Sequence, residues 1–200
     1  FLARVNAVDV SALDEQNRIN HAIIVSQVQN SVDEYDFNAH YMPLTSEFGF
    51  HSALSFMVSR SSFKTVEDYQ LYLKRLADVP RYFEQNIAWM KKGVAIGLTQ
   101  PKPVLLGYED SINAFIVKSP EQSEFYKPFK NKPEHISDAD FAKLKKQAKS
   151  IISNSVIPSY QSYLSFFETE YAPNARAEIG ISTTPNGSEF YQNRVKHYTT

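Results

Sequence analysis

Tyr191, Arg194 and Tyr198 recur at three- and four-residue steps, a spacing that puts all three near one helix face, with His197 beside them. Such a set has a chemistry. A tyrosine or histidine next to a reacting carbonyl can donate a hydrogen bond to the developing oxyanion, and an arginine can hold a carboxylate in a two-pronged grip. These four are candidate substrate-binding residues. The same stretch has a plainer reading, in which Tyr191 and Val195 pack into a core while Arg194 and Lys196 are solvated. A second constellation is His40, Tyr41, Phe48, Phe50 and His51, in and beside the aperiodic stretch 38–49, which reads as a long structured loop bordering a cleft. His51 joins the substrate-binding candidates from there.

Metal and nucleophile chemistry find less support. A catalytic zinc needs about three protein ligands, most simply with two histidines four apart on one helix face. The five histidines, His21, His40, His51, His135 and His197, include no close pair, and there is no cysteine, so no metal ligand set is expected in this chain. Spacing places His21 on the flank of a helix and His135 on an exposed loop. Ser182 in Gly180-Ile-Ser-Thr-Thr184 lacks the second glycine, two residues on, that a nucleophile elbow requires, because Thr184 stands there. A turn or cap hydroxyl is the better reading. Asn186-Gly187-Ser188 is formally a glycosylation sequon, but Asn186 followed by Glu189 also matches a helix cap with an acidic first turn, the reading preferred here.

The elements that must position these residues are helices. Ser137-x-x-Asp140 opens a capping box, and Phe141, Leu144, Ala148, Ile151, Ile152 and Val156 follow at helical spacing. The stripe resumes beyond Pro158 at Tyr160, Tyr163, Leu164, Phe167 and Tyr171, so the proline is expected to kink this spine rather than end it. Leu2, Val5 and Val8 suggest a short helical tail. Ser11-x-x-Asp14 offers another capping box, and Ile19, Ile23, Ile24, Val28, Val32 and Tyr35 follow, which predicts a helix of about six turns. Thr65, with Asp68 at the box position, caps a further helical run to Gly97 that either bends or divides near Pro80. After Thr99-Gln-Pro-Lys-Pro103 another helix is expected, with Leu106, Ile112 and Phe115 to Val117 on its buried side. Residues 121–133 read as a packed loop with one helical turn, and Glu178 to Thr183 as a short extended stretch. The fold class is therefore all-α, an irregular multi-helix array in one domain over residues 1–200, with the spine packed against the first helix and the Thr65 to Gly97 helices.

Composition bounds the partners. With 21 Lys plus Arg against 22 Asp plus Glu, the net charge of -1 gives no electrostatic case for a nucleic acid or an anionic membrane. No apolar run approaches the roughly 18 residues of a transmembrane span. The opening Phe1-Leu-Ala-Arg4 has neither a start methionine nor a signal-peptide layout, which reads as a processed chain. The 26 aromatic Phe and Tyr side chains could line a peptide or glycan groove between helices or serve as ordinary core.

Three ordered motifs carry a resemblance. They are Glu170-Tyr171-Ala-Pro173-Asn-Ala175-Arg176, Gly180-Ile-Ser182-Thr-Thr-Pro185-Asn-Gly187-Ser-Glu-Phe190-Tyr191, and Val195-Lys-His197-Tyr-Thr199-Thr200. With Thr65 to Leu76, Pro80 and Gly93 to Pro101 upstream, they make the chain resemble a large bacterial family catalogued as a domain of unknown function, number eight-eight-five, whose members look like zinc metallopeptidases. Phe190 replaces the family's first tyrosine, and Tyr198 sits between His197 and the threonines. The resemblance implies that the metal-binding segment lies beyond this chain. It further implies that the chain is the N-terminal helical part of a larger hydrolase, forming a wall or lid of a peptide cleft, inert alone. Its partner would be the missing C-terminal part of the same protein, and zinc would belong to that parent. A periplasmic or envelope setting follows from the resemblance only. The alternative is a non-catalytic helical module that binds a peptide or protein through its aromatic surface.

Overall fold

Apolar residues repeating every three or four positions can be buried together only on a helix, and helices account for nearly all the regular structure in the computed structural model, which describes residues 1–199. In chain order they are α1 (Leu2–Asn6), α2 (Glu15–Asp36), α3 (Phe50–Ala53), α4 (Phe56–Ser59), α5 (Val66–Ala77), α6 (Val79–Ile96), α7 (Tyr108–Asn113), α8 (Asp138–Ile151), α9 (Ile157–Phe166) and α10 (Gly187–Thr199). Among the described residues no strand forms, only isolated bridges joining Leu44 to Gly49 and Pro101 to Arg176. The fold is an irregular all-α array. No helix among the described residues is long and apolar enough to cross a membrane. The chain divides into two units, a smaller one of Phe1–His40 with Glu178–Thr200 and a larger one of Tyr41–Ala177.

The larger unit is built on the spine. Ser137 Oγ accepts the Asp140 N–H at 3.1 Å, which satisfies one of the free donors at the start of α8. Pro158 cannot donate to the carbonyl one turn back, and its ring crowds that carbonyl. A wide π-helical turn at Ile152–Val156 absorbs the misfit, and the helix continues as α9 into a second π-turn at Phe167–Tyr171. One continuous path results, as its apolar stripe predicts. Phe141, Leu144, Ala148, Ile152, Val156, Tyr160, Tyr163, Phe167 and Tyr171 all face the core.

The Thr65 to Gly97 run proves to be two helices. Thr65 and Asp68 form the reciprocal capping box at α5, and Asp78 separates α5 from α6, where Pro80 sits in the first turn and so costs no intrahelical bond. Gly97, at φ 74°, ends α6 in the left-handed conformation that glycine adopts without strain. Tyr72, Leu76, Phe83 and Met90 from this pair are buried, and the Phe83 and Tyr160 rings meet at 4.8 Å. The packed loop is present as short 3₁₀ turns whose Phe125, Tyr126 and Phe129 are buried, and Tyr72 Oη donates to the Phe125 carbonyl at 3.0 Å. The helix expected after Thr99 starts later. Pro101 and Pro103 lead only into a 3₁₀ turn at Lys102–Leu105, and Gly107 at φ 73° redirects the chain before α7. Leu106, read as buried, is 86% exposed as a result.

In the smaller unit, Asp14 caps α2 by accepting the Asn17 N–H at 2.8 Å. The helix predicted from residues 11–35 is there, but Asp14 rather than Ser11 is its cap, since Ser11 lies in a 3₁₀ turn at Val10–Ala12. None of its 22 residues is buried, so the packed face expected for it is not found within its own unit. His21 does lie on its flank, with Nε2 2.9 Å from the Val5 carbonyl of α1. The extended stretch expected at Glu178 to Thr183 is instead a 3₁₀ turn at Ile181–Thr183, closed by the Thr184 N–H donating to the Ile181 carbonyl at 3.0 Å. Gly187 is required there, because a Cβ at that position would fall 1.9 Å from the Ile181 carbonyl oxygen.

Candidate functional site

Asn186 directly precedes α10 at φ 54°, and its carbonyl accepts the Phe190 N–H at 2.9 Å. From this start α10 runs antiparallel to α2. Phe190 meets Phe37 at 5.5 Å, Asn193 Nδ2 donates to Asp33 Oδ2 at 2.9 Å, and Arg194 pairs with Glu34 and donates to the Asn30 side-chain oxygen. Gln29 Nε2 also donates to Asp33, at 2.7 Å. These polar pairs hold the two helices together where no buried apolar side chain does. Beside them lies a groove of about 400 Å³ lined by the apolar Ala22 and Val25 and the polar Ser26, Gln29, Asn30 and Asp33 of α2, and by Asn193, Lys196 and His197 of α10. Its walls carry amide donors and acceptors, one carboxylate, one ammonium and one imidazole. Such a lining suits a peptide backbone, whose own groups are amide donors and acceptors.

The four α10 candidates do not converge. His197 enters the groove, and Arg194 turns to α2, where its side chain is 19% exposed and already engaged by a carboxylate. An arginine so held is not free to grip a ligand carboxylate. Tyr191 and Tyr198 are 54% and 76% exposed, on a stripe that points away from α2. Tyr198 touches only the edge of the set, its ring 4.7 Å from that of His197. The plainer reading needs correction too, since Tyr191 and Val195 are exposed rather than core and Arg194 is paired rather than solvated. Asn193, Gln29 and Asp33 were not singled out by sequence. Their signal was the polar spacing at 26, 29, 30 and 33 on a helix otherwise read for its apolar positions.

The loop candidates are placed differently. His40 stacks on Tyr35 at 4.6 Å, Phe48 is exposed, and Phe50 and His51 enter the core. His51 is 1% exposed, ringed by Phe50, Tyr108, Phe115 and Tyr163, and its carbonyl accepts the Tyr160 hydroxyl at 2.7 Å. Its Nε2 lies 3.1 Å from Ser111 Oγ, while Ser111 Oγ donates to the Tyr108 carbonyl at 2.6 Å. The serine proton is thereby used, so His51 Nε2 is the donor and Nδ1 carries the lone pair. Nδ1 has no hydrogen-bond partner, and burial pushes the imidazole down to about 4, neutral at pH 7. Gly49 permits this closeness, because a Cβ there would fall 2.2 Å from Tyr108 Oη and 2.7 Å from His51 Nδ1. Among the described residues no carboxylate orients the ring, and the serine proton points away from it. The pair therefore lacks what an activated nucleophile needs.

Ser182 is exposed in its turn, and His135 sits on an exposed loop against the Lys64 carbonyl. Among the described residues no three His, Cys, Asp or Glu side chains gather as a metal ligand set. These residues do not fit a zinc ion. The first of the quoted motifs has a structural basis of its own. Tyr171 Oη accepts the Gln100 N–H at 3.0 Å, and Arg176 bonds Thr99 through its N–H and its Nε, at 3.0 and 2.8 Å.

The family described as a bacterial protein of unknown function, DUF885, matches residues 1–200. Among solved structures, the chain is similar to "the putative lipoprotein from Colwellia psychrerythraea", at 26% identity and a TM-score of 0.65 over 70% of this chain and 24% of that one. The chain thus spans about a quarter of that structure's length. No curated protein matches it.

Proposed function

This chain belongs to the bacterial family of unknown function DUF885, and from that premise we propose that it is the N-terminal helical part of a zinc-metallopeptidase-like hydrolase. It forms one wall or lid of a peptide-substrate cleft and is inert alone. The observation that carries the reading is the α2–α10 groove, which presents the amides of Asn193 and Gln29 and the His197 ring beside Asp33 and Lys196. Groups of this kind bind an extended peptide by its backbone. Zinc and the base that activates water would come from the remainder of the protein, this chain's partner, since the residues here do not fit the metal. An envelope setting accords with the lipoprotein description of the similar structure.

The test uses the longer polypeptide that carries this chain, measuring zinc per chain and cleavage of a peptide mixture. Zinc near one equivalent, with cleavage abolished by chelation, is the expected result. Replacing Asn193 or His197 with Ala then raises KM about fivefold with kcat little changed, the loss of roughly one hydrogen bond worth of uniform binding. Absence of both zinc and cleavage overturns the hydrolase. The exposed Tyr191 and Tyr198, two turns apart on one stripe, favour a second reading as a non-catalytic peptide- or protein-binding module. That reading predicts metal-independent binding by the 200-residue chain, lost when both tyrosines become Ala.

A further inference from the structure

Within the larger unit, a pocket of about 220 Å³ lies between α6 and the spine where the spine passes Pro158. Pro80, Glu84 and Ile87 line it from α6 at steps of four and three, so one face of that helix looks into it. Asn154, Ser155, Ser159 and Ser162 line it from the spine, again at helical steps. Oxygen acceptors without a donor accumulate on these walls. Ser159 Oγ donates to the Ser155 carbonyl at 2.7 Å, so its lone pairs are what it has left to offer. Asn154 Nδ2 donates at 3.3 Å to Ser150 Oγ, outside the pocket, while its Oδ1 accepts no hydrogen bond among the described residues. The Asn154 carbonyl has lost its usual helical donor, because the residue four further on is Pro158. Among the described residues Glu84 has no cationic partner, since Arg81, one turn away, is spent on Asp78 and Gln85. The walls thus carry a carboxylate, several unused oxygens and no cation.

We propose that this pocket binds a primary alkylammonium group. Its three N–H donors go to Glu84, to the Asn154 side-chain oxygen and to the serine hydroxyls, and its carbon stem lies against Pro80, Ile87 and Pro158. The walls select among cations. A divalent metal takes several hard anionic ligands, and here there is one carboxylate. Oxygens that converge from two separate helices suit the diverging donors of an ammonium better than the flat fork of a guanidinium. A lysine side chain of a polypeptide and a small free amine share this chemistry. The site shares no residue with the α2–α10 groove, and the proposal does not rest on the hydrolase reading.

The test titrates n-butylammonium into the 200-residue chain and follows backbone amide chemical shifts, with n-butanol as the uncharged stem. Glu84→Gln removes the charge at an exposed position, and Ser162→Leu, also at an exposed position, fills the pocket; unchanged shifts elsewhere verify that both variants fold. The expected result is saturable shifts confined to the amides of 84, 87, 154, 155, 159 and 162. Affinity falls about fivefold in Glu84→Gln, the worth of one partly exposed ion pair, and binding is lost in Ser162→Leu. No saturable shift with n-butylammonium overturns the proposal. Equal shifts with n-butanol overturn it in favour of a merely apolar cleft, and so does an affinity unchanged in Glu84→Gln. Given binding, a lysyl tripeptide and cadaverine distinguish the sources. Tighter binding of the tripeptide assigns the site to a lysine side chain, and equal or tighter binding of cadaverine assigns it to a free amine.

Discussion

The helix Glu15–Asp36 and the path Asp138–Tyr171 carry apolar residues at the same helical spacing, yet their fates differ. Along the second, the stripe from Phe141 to Tyr171 is buried, whereas along the first not one residue is. Every buried apolar side chain from Leu44 to Ala175 belongs to the larger unit. Periodicity thus states that a helix has an apolar face; it does not state what covers that face. In the larger unit cover comes from α5, α6 and the 120–129 turns, while in the smaller one α2 meets α10 through amides and ions. The first arrangement draws its stability from area removed from water, and the second from hydrogen bonds whose net worth is about 1 kcal/mol each.

The contrast can be broken by truncation. Phe83→Ala opens a cavity against Tyr160 and Phe50 and is expected to cost about 3–5 kcal/mol in urea denaturation. Ile23→Ala in the same chain is expected to cost no more than about 0.5 kcal/mol, as at other exposed sites. Comparable losses at the two positions would mean that α2 is covered after all.

Acid probes the larger unit from inside. The His51 imidazole lies at about 4 in the folded chain against an ordinary value of 6.5, because burial with no facing carboxylate disfavours its charge. The unfolded chain binds this proton first, so stability falls as the pH drops from 6.5 towards 4 and levels off below that. The difference corresponds to about 3 kcal/mol. His51→Gln keeps a donor for Ser111 and removes the titration, so its stability is expected to decline less than the parent's between pH 7 and 4.5. Parallel declines would show that other groups govern the acid response.

Smaller effects sharpen the comparison. Thr65→Ala removes one arm of the α5 capping box and is expected to cost about 1 kcal/mol. Severing Lys91 from Glu170, both side chains about half exposed at 3.1 Å, is expected to change stability by less than about 0.5 kcal/mol in a double-mutant cycle.

The helices themselves were legible in the sequence. Thr65 and Ser137 each cap the helix that their spacing announced, Asp14 does so where Ser11 was expected, and the spine runs through Pro158 because apolar residues resume beyond it. Helix starts and faces depend on neighbours within about a turn, information that the local sequence holds in full. The candidate site was less legible. His197 was read as a substrate-binding candidate and lines the α2–α10 groove, while Arg194, read as free to hold a carboxylate, is held by Glu34, 160 residues away in sequence. His51, read with the aromatic loop as bordering a cleft, is a core residue because Gly49 and Ser111 admit it. By itself the sequence determined an all-α chain, its caps and its apolar stripes. Only the tertiary structure decided which stripes are covered, which charges are already paired, and which histidine meets solvent, because burial and pairing are set by partners far along the chain that no local spacing encodes.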